Sequence, residues 1–311
     1  MRHLALLLVL VLAAVSGSCN RTPPAETSNK KTVALVLKTL NHPFFVDMRR
    51  GAQEAADRLG VTLQVQAAER EIDVDKQMQI VENMLQTGID VLAITPSGSR
   101  EIVSALVKAT QANVPIVIVD TRLDARAAEA AGVKPQTFIG SDNYEGGKLA
   151  GEYVVSSTGG KARVGVLEGI PGHETGDSRL RGFRDAVAKA PGITIVASQP
   201  ANWERDQGFN VFQNMLQAHR DIDTVFAASD LMALGAIEAI AAAGRAGQIR
   251  VVGFDALDDA KKAVEAGTMA ATVAQFPYEM GKAAVESAVK VLAGEKLPPD
   301  IMVKLEMVTK R

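Results

Sequence analysis

Two adjacent aromatics and three polar side chains share the stretch Lys38-Thr39-Leu40-Asn41-His42-Pro43-Phe44-Phe45. Flat apolar faces beside hydrogen-bonding groups suit a sugar ring, which has C–H faces and a hydroxyl rim. Both Phe residues could equally fill core, and the segment alone leaves that open. Asp120, Asp230 and Asp255 each lie at or just beyond the end of an apolar run, where they are either paired acids or acceptors for ligand hydroxyls. Trp203 falls in a polar stretch and reads as ligand-facing. Arg179 is close to Arg181 and Arg184, where a solvated basic face is the default, and His173 and Glu174 lie in a loop that could reach the same place. Other chemistries lack their residues. There is no G-x-G-x-x-G turn for a dinucleotide, no Walker-type lysine loop and no G-x-S-x-G nucleophile elbow; Gly146-Gly147-Lys148 falls inside a helical pattern and reads as packing. Four His residues and one Cys, far apart, give no metal-ligand spacing. The chain reads as a binder without cofactor or catalysis.

The elements that position these residues alternate. Thr32 to Leu37 is an apolar run suited to a strand buried on both faces, and Pro43 pre-sets a helix that Asn41 can cap. Strands follow at Thr62 to Ala67, Val91 to Ile94 and Ile116 to Val119, with helices over Asp73 to Thr87 and Arg100 to Gln111 between them. Asp124 to Pro135 is an Ala-rich excursion before the strand Thr137 to Gly140. A second series then begins. Its helices are Asn143 to Ser157, one closing near Ala190, Glu204 to Ala218 and Leu231 to Ala243; its strands are Arg163 to Leu167, Ile193 to Ser198, Thr224 to Ala227 and Arg250 to Phe254. Repeated βαβ units require parallel sheets with right-handed crossovers, and ligands bind such sheets at the strands' carboxyl ends, where the polar side chains fall.

Residues 1–19 read as an export leader: Arg2, an apolar run from Leu4 to Val15 that is too short for a membrane span, then Ser16-Gly17-Ser18 before Cys19. Residues 20–30 are a polar tether. About 280 residues remain, enough for two α/β domains. Lys and Arg total 34 against 36 Asp and Glu, without long blocks of either sign, so nothing points to nucleic acid.

Several segments together resemble the ribose-binding-protein group of bacterial periplasmic solute receptors, whose ligand core is shared with lactose-repressor-type regulators. They are Thr39 to Phe45, Gly140-Ser141-Asp142-Asn143, Ala197 to Ala201, Met232 to Ala236, Val252-Gly253-Phe254-Asp255 and Ala271 to Gln275. The regulators' amino-terminal DNA-binding segment is replaced here by the leader. The resemblance implies an α/β type I periplasmic binding protein fold, with two doubly wound parallel-sheet domains joined by a three-segment hinge. Crossings near Ser141, Gln275 and Lys304 divide the chain into 31–141 plus 276–304 and 142–275 plus 305–311. It further implies that a small sugar or polyol binds between the domains at Lys38, His42, Phe44, Phe45, Asp120, Thr121, Arg179, Trp203, Ser229, Asp255 and Gln275. A monomer serving a membrane permease and its cytoplasmic ATPase, a periplasmic or cell-surface location and a lipid anchor at Cys19 also follow. A chemoreceptor or sensor kinase is the alternative partner. Lys38, His42, Thr121 (with Arg122 one place on) and Ser229 depart from the ribose pattern, which leaves the sugar open. Lys38 itself has three readings: it snorkels to water, it engages Asp120, or it helps to hold an anionic substituent.

Overall fold

The structure, a computed structural model, describes residues 30–310. The leader, the lipid-modification reading at Cys19 and most of the tether lie outside the described residues. In chain order the strands are β1 (Thr32–Thr39), β2 (Thr62–Ala68), β3 (Val91–Ile94), β4 (Ile116–Val119), β5 (Thr137–Gly140), β6 (Lys161–Glu168), β7 (Gly192–Pro200), β8 (Thr224–Ala227), β9 (Arg250–Asp255), β10 (Ala271–Ala274), β11 (Asp300–Met302) and β12 (Glu306–Thr309). The helices are α1 (Pro43–Leu59), α2 (Val74–Gln86), α3 (Val103–Gln111), α4 (Ala125–Ala130), α5 (Asn143–Ser157), α6 (Glu174–Val187), α7 (Arg205–Ala218), α8 (Asp230–Ala242), α9 (Asp258–Ala266) and α10 (Pro277–Leu292).

Two six-stranded sheets result, in the orders β2-β1-β3-β4-β5-β11 and β7-β6-β8-β9-β10-β12. Every pairing is parallel except β10 with β12. Both sheets therefore share one winding pattern, with strand order reversing beside β1 in the first and β6 in the second. That reversal opens a crevice at the strands' carboxyl ends. The chain moves to the second sheet after β5 and passes between the sheets again from β11 to β12, while α10, which follows β10, packs on α1.

The apolar pattern of β1 explains its place. Val33, Leu35 and Leu37 enter one core with α1 and α10, while Ala34 and Val36 enter another that includes residues of α2 and α3. Burial of both faces is what the unbroken apolar run requires. In the second half, Phe183 of α6 stacks on Phe226 of β8 with ring centroids 4.3 Å apart. The packing role expected of Gly146-Gly147-Lys148 is met in α5. A Cβ at Gly147 would overlap the Arg179 carbonyl, so α5 and α6 meet backbone to backbone at the turn that carries Arg179.

Local expectations are corrected at three points. The cap of α1 is His42 rather than Asn41: His42 Nδ1 accepts from Phe44 N at 3.1 Å, and Asn41 Nδ2 donates to the Glu69 carbonyl instead. The Ala-rich excursion contains α4, capped by Asp124, whose Oδ1 accepts from Ala127 N at 2.7 Å. Helix α3 begins at Val103, three residues later than the sequence pattern suggests.

Candidate functional site

A narrow cavity lies between the carboxyl ends of the two sheets. Ten of the eleven expected residues line it: Lys38, His42, Phe44, Phe45, Asp120, Arg179, Trp203, Ser229, Asp255 and Gln275. None is more than 6% exposed, so the cleft is closed over them. Thr121 stands behind the wall, where its Oγ1 donates to Asp120 Oδ2 at 2.9 Å. That hydroxyl also meets Thr175 Oγ1 at 3.0 Å, and Glu174 N donates to Ser99 Oγ at 3.3 Å; both contacts join a loop after a strand of the first sheet to the first turn of α6.

The first sheet contributes a cation between acids. Lys38, last but one in β1, places Nζ 3.4 Å from Asp120 Oδ2 and 3.6 Å from Glu71 Oε2. With 2% of its surface exposed it does not snorkel to water, so that reading is overturned. Glu71 and Thr175 also line the cavity, and the sequence reading missed both. Glu71 follows β2, so the strand-end rule that flagged Asp120 would have flagged it too. Burial raises its pKa, against the opposing charge of Lys38. Phe44 and Phe45 meet edge to face with centroids 5.2 Å apart; they belong to the core of the first sheet and also present faces to the cavity. Both residues are therefore core and cavity wall at once.

His42 is held in one tautomer. Because Nδ1 accepts from Phe44 N, the neutral ring carries its proton on Nε2, as a donor. Burial lowers its pKa to about 4, with Lys38 and Arg179 reinforcing the shift and Asp255 and Asp120 opposing it. The closed protein thus binds fewer protons than the unfolded chain between pH 6.5 and about 4. Stability from this site is fully present above pH 6.5 and is lost as pH falls toward 4, by about 3 kcal/mol. His42→Asn keeps an acceptor for the cap and is expected to remove about that much acid sensitivity. Urea titrations of both proteins across this pH range check it. Glu71 and Asp255, which shift upward and act in the opposite sense, are present in both proteins.

The second half contributes Arg179, on α6, which is not on a solvated basic face: it is 3% exposed. Its Nε donates to Asn143 Oδ1 at 2.9 Å and Nη1 donates to the Ala228 carbonyl at 2.7 Å, with Asp255 Oδ1 at 3.5 Å. The guanidinium also lies over the Phe254 ring, 3.8 Å from its centroid. Burial lowers its pKa but leaves the group charged. Gln275 Nε2 donates to Asp255 Oδ1 at 2.8 Å. Three polar atoms of cavity residues, Trp203 Nε1, Ser229 Oγ and Gln275 Oε1, are buried without a protein partner. Buried polar groups are rarely left so, and here a donor, a hydroxyl and an acceptor converge beside aromatic rings. Arg122 pairs with Asp300 at 2.7 Å, and neither it nor Asp230 lines the cavity. His173, although 6% exposed, lies outside the lining.

The backbone is strained where it aims these side chains. Six non-glycine residues among those described have positive φ, and five of them, Asp120, Asn202, Trp203, Asp255 and Ala256, lie in the segments that present Asp120, Trp203 and Asp255. Such residues cluster at ligand clamps, where the surrounding structure enforces them.

Two matching α/β sheets with a cleft between their strand ends define the type I periplasmic binding protein class. The periplasmic binding protein domain matches residues 33–296, and the chain belongs to that family. It is 41% identical over 304 residues to the ribose import binding protein RbsB of Escherichia coli, covering 98% of each chain. To the D-ribose/D-allose-binding protein of Pseudomonas aeruginosa it is 37% identical over 295 residues, covering 92% of this chain and 91% of the relative. An ABC transporter periplasmic solute binding protein from Actinobacillus succinogenes, solved with bound D-allose, superposes with a TM-score of 0.85 at 40% identity, covering 90% of this chain and 98% of that one.

Proposed function

We propose that this chain is the extracytoplasmic solute receptor of an ABC-type sugar importer, and that it closes over one neutral monosaccharide or polyol. The observation that carries the reading is the convergence of Trp203 Nε1, Ser229 Oγ and Gln275 Oε1, buried and unpartnered, on a cavity walled by Phe44 and Phe45. Hydroxyls both donate and accept, so one polyol ring can serve all three atoms while its C–H faces meet the aromatics.

Charge narrows the ligand class. Lys38 and Arg179 are already engaged by Asp120, Glu71 and Asp255, which leaves no surplus cation for a sugar acid. A further carboxylate would be buried without compensation. The relatives named for ribose and D-allose support pentoses and hexoses alike.

In this reading the lobes are 31–141 with 276–304 and 142–275 with 305–311, and the three segments linking them are the hinge. The receptor acts as a monomer in the periplasm and delivers to a permease powered by a cytoplasmic ATPase. Cys19, beyond the described residues, would supply a lipid anchor. The import role printed for the E. coli relative supports a permease rather than a chemoreceptor as partner.

A thermal-unfolding screen against sugars, polyols, sugar acids and sugar phosphates tests the proposal. A true ligand at ~100 times Kd is expected to add about 2.7 kcal/mol, a rise of several degrees. Stabilisation by a sugar acid alone would overturn the neutral-ligand reading, and no shift with any carbohydrate would overturn the receptor reading.

A further inference from the structure

The cleft carboxylate Asp255 is borne on a turn that L-residues resist: its φ is 114° and that of Ala256 is 52°. Nothing in the side chain of Ala256 helps to hold this shape. Two polar side chains outside the cavity do. Thr272 Oγ1, on β10, accepts from Ala256 N at 3.2 Å and donates to Asp230 Oδ1 at 2.7 Å. Asp230 Oδ2 accepts from Leu257 N at 2.8 Å. A single buried carboxylate therefore restrains two consecutive peptide N–H groups, one directly and one through the threonine hydroxyl.

Asp230 and Thr272 are both fully buried, and neither lines the cavity. The carboxylate lies against the β9 backbone, where a Cβ at Gly253 would overlap Asp230 Oδ1, so the glycine makes room for it. Burial, with Asp255 close by, pushes the Asp230 pKa well up. A carboxylate kept so far from water is costly unless its bonds are used, and both of its oxygens are spent on this turn.

We propose that Asp230 and Thr272 are positioning residues for ligand binding: they hold Asp255 and Ala256 in the left-handed turn that aims the Asp255 carboxylate into the cleft. This rests on the sugar-receptor reading for its effect on affinity, while the turn itself can be tested without ligand. Replacing the hydroxyl by a methyl in Thr272→Val leaves side-chain shape nearly unchanged and releases Ala256 N. Glycine adopts positive φ at no steric cost, so Ala256→Gly lowers the demand for restraint.

The test combines amide hydrogen exchange on the free protein with calorimetric titration of D-allose and D-ribose, in wild type, Thr272→Val and Thr272→Val/Ala256→Gly. In Thr272→Val the Ala256 and Leu257 amides are expected to lose protection, and Kd for whichever sugar binds wild type to rise about tenfold; adding Ala256→Gly restores Kd to within about threefold of wild type. Unchanged protection of both amides overturns the proposal, whether or not either sugar binds. Lost protection with unchanged Kd overturns the link to binding, and a Kd loss that Ala256→Gly fails to reduce shows that Thr272 acts by another route. If wild type binds neither sugar, it is the choice of ligand that fails, and the exchange data still decide whether this pair holds the turn.

Discussion

Lys38→Met is expected to weaken sugar binding by about a hundredfold, near 3 kcal/mol. The substitution keeps the apolar stem and deletes the charge that lies 3.4 Å from Asp120 and 3.6 Å from Glu71. Two acids then share a dehydrated wall without a cation, and closing the cleft over them becomes the unfavourable step. Burial already pushes the Glu71 pKa up, so Glu71 can take up a proton, and this limits the loss. Adding Glu71→Gln to Lys38→Met should accordingly recover part of the affinity. Titration calorimetry on the single and double variants decides it: unchanged affinity in Lys38→Met would show that the lysine is a bystander.

Arg179→Met should cost about 3 to 5 kcal/mol of folding stability in the half that contains α5 and α6, besides abolishing measurable binding. Asn143 Oδ1 and the Ala228 carbonyl lose their donor, and Asp255 loses its buried cation. Arg184, five residues further along α6 and half exposed beside Glu168, provides the comparison. Removal of its surface pair should change stability by less than about 1 kcal/mol. Urea unfolding of Arg179→Met and Arg184→Met separates them, and equal effects would contradict the buried role assigned to Arg179.

Much of this was readable from residue order because the physics is local. An unbroken run such as Thr32 to Leu37 serves a strand covered on both faces, and strands Val91 to Ile94 and Thr224 to Ala227 were bounded as the structure has them. Polar residues directly after such runs sit at strand ends, and that placed Asp120 and Asp255 at the crevice. What sequence did not carry is how side chains from separate strands pair. Lys38 meets Glu71 only because β1 and β2 are neighbours, a pairing that residue order alone does not give. The burial of Arg179 depends on the close approach of α5 at Gly147, without which a row of three arginines looks like a solvated face. Asp230 looked like another cleft acid because it also follows a strand; one residue of helical rotation turns it inward to Thr272 and Leu257. His42 rather than Asn41 is the cap, since Asn41 is taken by the Glu69 carbonyl just beyond the neighbouring strand β2.

The cleft is expected to hold a neutral sugar and leave it unchanged. Isothermal titration of the purified protein with D-allose and D-ribose, followed by recovery and chemical identification of the sugar, tests it most directly. The expected result is a saturable binding heat with one sugar per chain, a Kd in the micromolar range or below, and sugar recovered intact. Absence of binding heat with both sugars and with the wider carbohydrate panel, or recovery of a chemically altered sugar, would contradict it.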